Sequence, residues 1–330
     1  MTEMVVLMAE KTAEKKYELP KELEDLPGIG EATAERLRKA GYTSMDQIAA
    51  AMPHELAEAG DFGVEAAKKA ITVAQGAVET GYETADVILE RRKDIKRIPT
   101  GSKNFDDLIG GGVETQAITE CFGKFSSGKT QVGFQLAVNA QKALSSDGTT
   151  PAKVLFIDSE STFRPERIAQ IAEAQGLDPQ EVLKNILVAK AENSDHQLIL
   201  VEKAGNVIEK ENIKLIIVDS LTSHFRADYV GRGALSERQQ KLNKHIHTLQ
   251  KYADKYNIAI YVTNQVMDNP GILFGDPTMP IGGHILAHAA TYRLYLRKSK
   301  EEKRIARLVD SPNMPEGETV FKVTKGGVID

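Results

Sequence analysis

The sequence predicts an α/β protein, a mostly parallel sheet with helices on both faces, preceded by a small all-α domain. Three observations predict it. From about residue 98 onward, short β-rich runs alternate with helical patterns. The runs "AITECF", "VLFID", "LIIVD" and "AIYVT" are apolar enough to be strands buried on both faces. Residues 21–80 carry no such runs and read as short helices.

The elements follow in order. Residues 1–20 mix charges with a few apolar residues, end at Pro20, and are expected to be a flexible N-terminal tail. Residues 21–80 form the helical domain. There "EATAERLRKAGY" starts after a Gly-rich turn and stops at Gly41, a good helix C-terminal residue. In "VEAAKKAITVAQGAV" the positions Val64, Ala67, Ile71, Ala74 and Val78 trace one helical face. Residues 81–97 are a charged linker, and 98–330 are the sheet-containing core.

Bulk composition narrows the function. At 330 residues the chain has room for two domains, and 41% hydrophobic with 27% charged residues is ordinary for a globular protein. No run reaches the roughly 18 apolar residues that a membrane span needs. The single cysteine, Cys121, forms no internal disulfide, which fits a reducing cytoplasm. A formal net charge of −5 argues against a globally basic nucleic-acid binder, so any DNA contact must come from local patches.

The stretch "CFGKFSSGKTQ" contains Gly-x-x-x-x-Gly-Lys-Thr, from Gly123 to Thr130, between an expected strand and an expected helix. A loop at a helix N-terminus attracts anions through unpaired N–H groups and the helix dipole. Gly123 and Gly128 let the backbone curl around phosphates, Lys129 supplies a positive charge, and Thr130 offers a hydroxyl to Mg²⁺. "LIIVDS" places Asp219 at a strand end, where a metal-site acid is expected, bound directly or through water. "VLFIDSESTFRPER" carries Glu160 just beyond another strand end, as a group to orient or activate water. "YVTNQ" ends a further strand with Gln265, whose neutral amide can sense a γ-phosphate. Three strand ends thus bring polar groups to one crevice, the expected site of an ATPase.

Longer runs add to this: "TGSKNFDDLIGGGVETQAITE", "STFRPERI", "VDSLTSHFRADYVGRGALSERQQKL", "GDPTMPIGGHILAHAAT" and "DSPNMPEGE". With them the chain, over about residues 21–330, resembles the RecA-superfamily recombinases, the archaeal RadA branch most closely. The resemblance implies a RecA-like P-loop ATPase core with a helix-hairpin-helix N-terminal domain. It also implies a DNA-dependent ATPase, cytoplasmic and nucleoid-associated, that forms ATP-bound helical filaments on single-stranded DNA. Such a filament pairs that strand with homologous duplex and exchanges strands in DNA repair. Its cofactors would be ATP and Mg²⁺; its partners would be single- and double-stranded DNA, without sequence preference, and further copies of itself.

The resemblance also implies roles. The loop from Gly123 through Lys124, Phe125, Ser126, Ser127 and Gly128 to Lys129, Thr130 and Gln131 would hold the phosphates. Arg167 would pack on the adenine, Glu160 would activate water, and Gln265 would link the ATP state to a second DNA loop. His288 would approach the γ-phosphate of the neighbouring subunit. "DSPNMPE" would cap the neighbour's ATP, with Asp310 at its start and Pro312 against the base. Filaments would be joined by Tyr82 and Ala85 of "YETA", docking in a neighbour's pocket floored by Ala189 and Ala191. The chain departs from the family here: Tyr82 stands for its phenylalanine and needs a partner for its hydroxyl, and Glu192, where the family more often has an aromatic residue, is the expected acceptor. Arg226, Arg232 and Arg238 would serve a first DNA loop, and Phe274, Gly282 and Gly283 a second, which carries no Lys or Arg.

Two alternatives stay open. In the small domain "LPGIG" makes a helix-hairpin-helix turn whose amides can cradle a DNA phosphate. Yet residues 21–80 hold six Lys/Arg against eleven Asp/Glu, so Arg36, Arg38, Lys39, Lys68 and Lys69 would form a patch against that field; the competing reading is a protein-interaction module. For the whole chain, the alternative is a recombinase paralogue that assists filament assembly without strand exchange of its own.

Overall fold

The computed structural model describes residues 20–77, 83–145, 148, 150–231, 233–268 and 278–330. The expected tail up to residue 19, Val78, Tyr82, Arg232 and Phe274 lie outside them. The chain divides between Leu89 and Glu90 into two compact units.

The first unit is all helical: α1 (Glu31–Lys39), α2 (Met45–Ala49), α3 (Pro53–Gly60) and α4 (Val64–Ala77), with α5 (Ala85–Arg91) running across the division. Its core joins Leu26 and Ile29 of the "LPGIG" turn to Leu37, Ile48, Leu56, Ala67, Ile71 and Ala74. Gly28 has φ +82, and a Cβ there would stand 3.1 Å from Ala66 Cβ, so the turn needs glycine for both backbone angle and space. Three of the cations expected to form a patch are engaged as follows. Arg36 donates to Gly60 O at 2.9 Å, Arg38 makes a two-pronged bond to Glu24 at 2.6 and 2.8 Å, and Lys68 meets Glu65 at 2.6 Å.

The second unit is built on a nine-stranded sheet. Its parallel part comprises β3 (Ala117–Phe122), β4 (Lys153–Asp158), β5 (Ile186–Lys190), β6 (Ile213–Asp219), β7 (Ala259–Asn264) and β10 (Tyr292–Lys298). An antiparallel meander, β11 (Lys303–Asp310), β12 (Gly317–Thr324) and β13 (Gly327–Ile329), extends one side. The order is β13-β12-β11-β10-β3-β7-β6-β4-β5. Two short pairs complete the strands: β1 (Arg97–Ile98) with β2 (Val113–Glu114), and β8 (Val266–Asp268) with β9 (Thr278–Pro280).

Helices cover both faces. One core sets α6 (Lys103–Leu108), α7 (Lys129–Ala143), α8 (Pro165–Ala174) and α9 (Pro179–Lys184) against one face; Val154, Phe156, Leu215 and Ile217 point into it. The other sets α10 (Ser194–Lys210), α11 (Ser223–Asp228), α12 (Leu235–Tyr256) and α13 (Gly283–Ala289) against Leu155, Ile157, Ile216 and Val218. Alternate residues of one strand serve opposite cores, which is why the strands read as unbroken apolar runs. At the start of this unit, Arg92 and Arg97 both donate to the buried Glu114, at 2.8 and 2.9 Å, so part of the charged linker is bound into it.

One buried group makes this core sensitive to acid. His245 of α12 is 1% exposed, lies 3.2 Å from Gln197 Nε2, and burial pulls its pKa down to about 3. The unfolded chain protonates this ring near pH 6.5 and the folded chain does not, so its neutral state is fully favourable above that pH and loses ground as pH falls toward 3. We expect the unfolding free energy of the full chain to drop by about 1.4 kcal/mol per pH unit from this residue between roughly pH 6 and 4. Urea unfolding of His245→Gln beside the parent checks it: the gap between them should narrow as pH falls, and a pH-independent gap refutes the assignment.

Candidate functional site

The carboxyl ends of adjacent parallel strands open on a cleft of about 850 Å³. The loop Gly123–Gln131 follows β3, Glu160 follows β4, Asp219 ends β6 and Gln265 follows β7, and all of them line it. All three acid and amide positions read from strand ends therefore meet at the loop.

The loop's backbone dictates its glycines. A Cβ on Gly123 would fall 2.2 Å from Leu296 O, so the loop passes against β10 too closely for any side chain. Gly128, with φ +107, turns the chain into α7 in a conformation other residues rarely adopt. Lys129 then opens α7 and folds back, its Nζ donating to Gly123 O at 2.8 Å and Lys124 O at 3.2 Å. Burial lowers its pKa, while Cys121, Asp219 and Glu160 nearby act to raise it. Phe125 is 96% exposed at the outer turn of the loop.

Thr130 Oγ1 donates to Asp219 Oδ2 at 2.7 Å, and Thr263 donates its hydroxyl to Oδ1. Burial pushes the Asp219 carboxyl above its ordinary range, the two hydroxyls acting against it. Glu160 Oε1 accepts from Gln265 Nε2 at 2.7 Å, so the water-activating candidate and the amide sensor touch. Arg167 is held at its edges: Nε donates to Gln131 Oε1 at 2.7 Å, and its terminal nitrogens donate to Lys325 O and Thr324 O at 2.5 and 2.6 Å and, more weakly, to Gln170 Oε1 at 3.3 Å. Burial lowers its pKa. A guanidinium fixed at its edges presents a face, the geometry for stacking on a planar base.

ATP and Mg²⁺ fit these residues. Ser127 Oγ is buried in the loop with no hydrogen-bond partner, a polar atom suited to a phosphate oxygen. The hydroxyl and carboxylate of Thr130 and Asp219 are hard oxygen donors of the kind Mg²⁺ takes beside phosphates. A dry carboxylate gains most from a divalent cation set against it.

Three contributors escaped the sequence reading. Asp158 accepts N–H bonds from Glu160 and Thr162 at 3.1 Å and from Phe163 at 3.0 Å, and so shapes the loop that presents Glu160. Its strand-end position in "VLFIDSES" is the same signal that marked Asp219. Arg304 lines the cleft from β11, its Nε buried and unpartnered, and nothing local in "EEKRIARL" announces it. Asn264 adjoins Gln265. Its Oδ1 accepts from Thr222 at 2.7 Å, and its Nδ2 donates to Glu120 at 2.7 Å and Ile281 O at 2.6 Å. Glu120 in turn pairs with Arg293 at 2.7 Å. Asn264 therefore ties the roots of both expected DNA loops to the strand that ends at the cleft.

Of the expected DNA contacts, Arg226 is exposed on α11 and Arg238 is half-buried on α12. Gly282 is buried with φ +100, and a Cβ there would stand 3.5 Å from both Leu242 and Thr222, so the second loop returns against the root of the first. Gly283, at φ +61, opens α13. β8 and β9 pair Val266 with Pro280 and Met267 with Met279.

The remaining expected residues lie elsewhere. Ala189 is half-buried on β5, the edge strand, and Ala191 is buried just beyond it. Glu192 is exposed, 3.7 Å from Lys190 Nζ. Asp310 and Pro312 are exposed, and the turn after them is held by Ser311 Oγ, which accepts from Met314 N at 2.7 Å. Asp310 pairs with Arg293 in register, level with Glu120 of β3, and β11 reaches it running antiparallel to β10 and so away from the phosphate loop; Tyr292 OH then donates to Asn313 Oδ1 of the turn at 3.0 Å. His288 is the next-to-last residue of α13, shortly before Thr291, whose N–H bonds Ile118 O near the start of β3. None of residues 310–316, nor His288, lines the cleft.

Among the described residues no helix is long and apolar enough to cross a membrane. Comparison with protein families finds a SAM-like helix-hairpin-helix tandem over residues 20–75. It finds Rad51 over residues 91–330, the whole of the sheet-bearing unit but its first residue. With most of its length matched, and with a RecA-like core, the chain belongs to the Rad51 family, whose members bind DNA and hydrolyse ATP in recombination.

Proposed function

We propose that the chain is an ATP-dependent strand-exchange recombinase of the archaeal RadA type, active as a helical filament on single-stranded DNA. One observation carries this reading. The phosphate loop stands at the carboxyl edge of the sheet, while the 310–316 turn and His288 lie away from it, toward the amino side, and line no part of the cleft. Within one chain they cannot close on the same nucleotide. Stacked head to tail, one copy brings its amino edge to the next copy's cleft, and contacts of that kind that do not close build a helix. β11 runs between the two, with Arg304 in its own cleft and the 310–316 turn following its other end.

In this reading the loop amides, Lys129 and Ser127 bind the phosphates, and Arg167 stacks on the base. Thr130, with Asp219 directly or through water, would hold Mg²⁺, which would supply charge neutralisation at the phosphates. Glu160, oriented by the loop that Asp158 shapes, takes the proton of the attacking water. Gln265 holds Glu160 and, beside Asn264, shares a strand end with the roots of the DNA loops. Nucleotide sandwiched between copies makes ATP an interface component, so binding favours assembly and hydrolysis loosens it. Base pairing itself reads sequence, and the protein holds backbones through Arg226, Arg232 and Arg238.

Joint-molecule formation between a single strand and a homologous duplex tests the proposal. We expect joint molecules with ATP and Mg²⁺ and none without ATP. Their absence under both conditions would leave the assembly-assisting paralogue as the better account.

A further inference from the structure

The pocket expected to take a neighbour's docking segment and the root of the first DNA loop meet on one short helix. β5 is the sheet's edge strand, where Ala189 is half-buried, and Ala191 just beyond it is buried in the core that α10 and α11 share. The chain leaves that edge through residues 191–197, and those residues hold α11 along its whole length. Before α11, Leu221 O accepts from Gln197 Nε2 at 3.1 Å. At its start, His224 Nε2 lies 3.0 Å from Ala191 O, which requires the proton on that nitrogen. At its end, Asp228 Oδ2 accepts the Ser194 N–H at 2.8 Å, placing a carboxylate at the N-terminus of the 17-residue α10. Beyond it, Lys241 Nζ bonds Asp195 Oδ1 at 2.7 Å and lies 5.1 Å from the centre of the Tyr229 ring.

α11 has six residues, of which Phe225 alone is buried. A helix that short takes its position from what it is fastened to. We propose that docking of a neighbour's Tyr82–Ala85 segment at Ala189 and Ala191 orders the first DNA loop through His224 and Asp228, which are positioning residues for DNA binding. A strand or anchor added at the β5 edge stiffens residues 191–197, these fix α11, and α11 sets where Arg226 and the chain after Tyr229 stand. The linkage is reciprocal: a loop ordered by DNA tightens the pocket by the same factor. Filament growth and DNA binding are then joined through one subunit contact, separately from nucleotide. The inference rests on reading Ala189 and Ala191 as the polymerisation pocket.

The test uses the full chain carrying Tyr82→Ala, which removes its own docking segment, and a synthetic peptide of residues 81–89 (GYETADVIL). Peptide affinity is read by fluorescence anisotropy and loop order by amide hydrogen exchange over residues 221–231. We expect saturating peptide to slow exchange there by about fivefold or more. With His224→Ala and Asp228→Ala added, which remove both bonds, the peptide should bind within about twofold of before, and the loop amides should no longer respond. Peptide binding with no change in loop exchange in the Tyr82→Ala chain overturns the inference alone, as does an undiminished response in the triple variant. No peptide binding at all overturns the pocket reading, and this inference with it.

Discussion

Lys129→Ala leaves the chain unable to form joint molecules and lowers ATP turnover at least about a thousandfold. The estimate follows from charge. A lysine within about 4 Å of a phosphate, at an effective dielectric near 20, contributes about 4 kcal/mol, which is about three decades in rate. Nζ already reaches Gly123 O and Lys124 O, so it stands inside the curl of the loop. Arg304 lines the flank of the same cleft from a different strand and does not replace a cation within the curl. The fold has no need of the ammonium: Tyr261 OH bonds the Lys129 main-chain carbonyl at 2.9 Å, a contact alanine keeps. Circular dichroism should therefore be unchanged while turnover collapses. A variant that turns over ATP within about tenfold of the parent would remove Lys129 from the assigned role.

Much of this arrangement was legible in the sequence because it is local. The strand–loop–helix that became β3, the phosphate loop and α7 is contiguous, and strand ends mark Glu160, Asp219 and Gln265 without knowledge of pairing. What stayed hidden is who meets whom. The Gln265–Glu160 bond joins residues 105 apart and the Thr130–Asp219 bond residues 89 apart, and no periodicity encodes either. Glu120 sits within "AITECF", which reads as an apolar run; its charge is tolerated because Arg293, 173 residues on, stands 2.7 Å away with Phe122 beneath its guanidinium. Asn264 carries no signal of its own beside Gln265, and its importance comes from three partners on three separate segments. The charge count of the small domain was plain, but the pairing of Arg38 with Glu24 and Lys68 with Glu65 was not. The roles of Asp310, Pro312 and His288 depend on a second copy, and a single chain's pattern speaks to that only through the resemblance.

Glu160→Gln separates assembly from hydrolysis. The amide has the size of the acid, and its oxygen accepts from Gln265 Nε2 as Glu160 Oε1 does at 2.7 Å. The loop that presents residue 160 takes its shape from Asp158, which bonds the main-chain N–H groups of residues 160, 162 and 163 and is indifferent to the side chain at 160. What the substitution removes is basicity at one position, and a positioned general base contributes about two to four decades. We therefore expect ATP turnover to fall about a hundredfold to ten-thousandfold with ATP affinity nearly unchanged. Filaments should form with ATP and persist, because the contacts that ATP makes between copies are kept and the step that breaks them is slowed. Lys129→Ala should behave oppositely, losing nucleotide and filament together. Measuring turnover, binding of a fluorescent ATP analogue and filament lifetime by electron microscopy distinguishes the two. If Glu160→Gln weakened nucleotide binding in proportion to turnover, Glu160 would be a group that holds ATP, and the proton of the attacking water would have to go to another residue of the cleft.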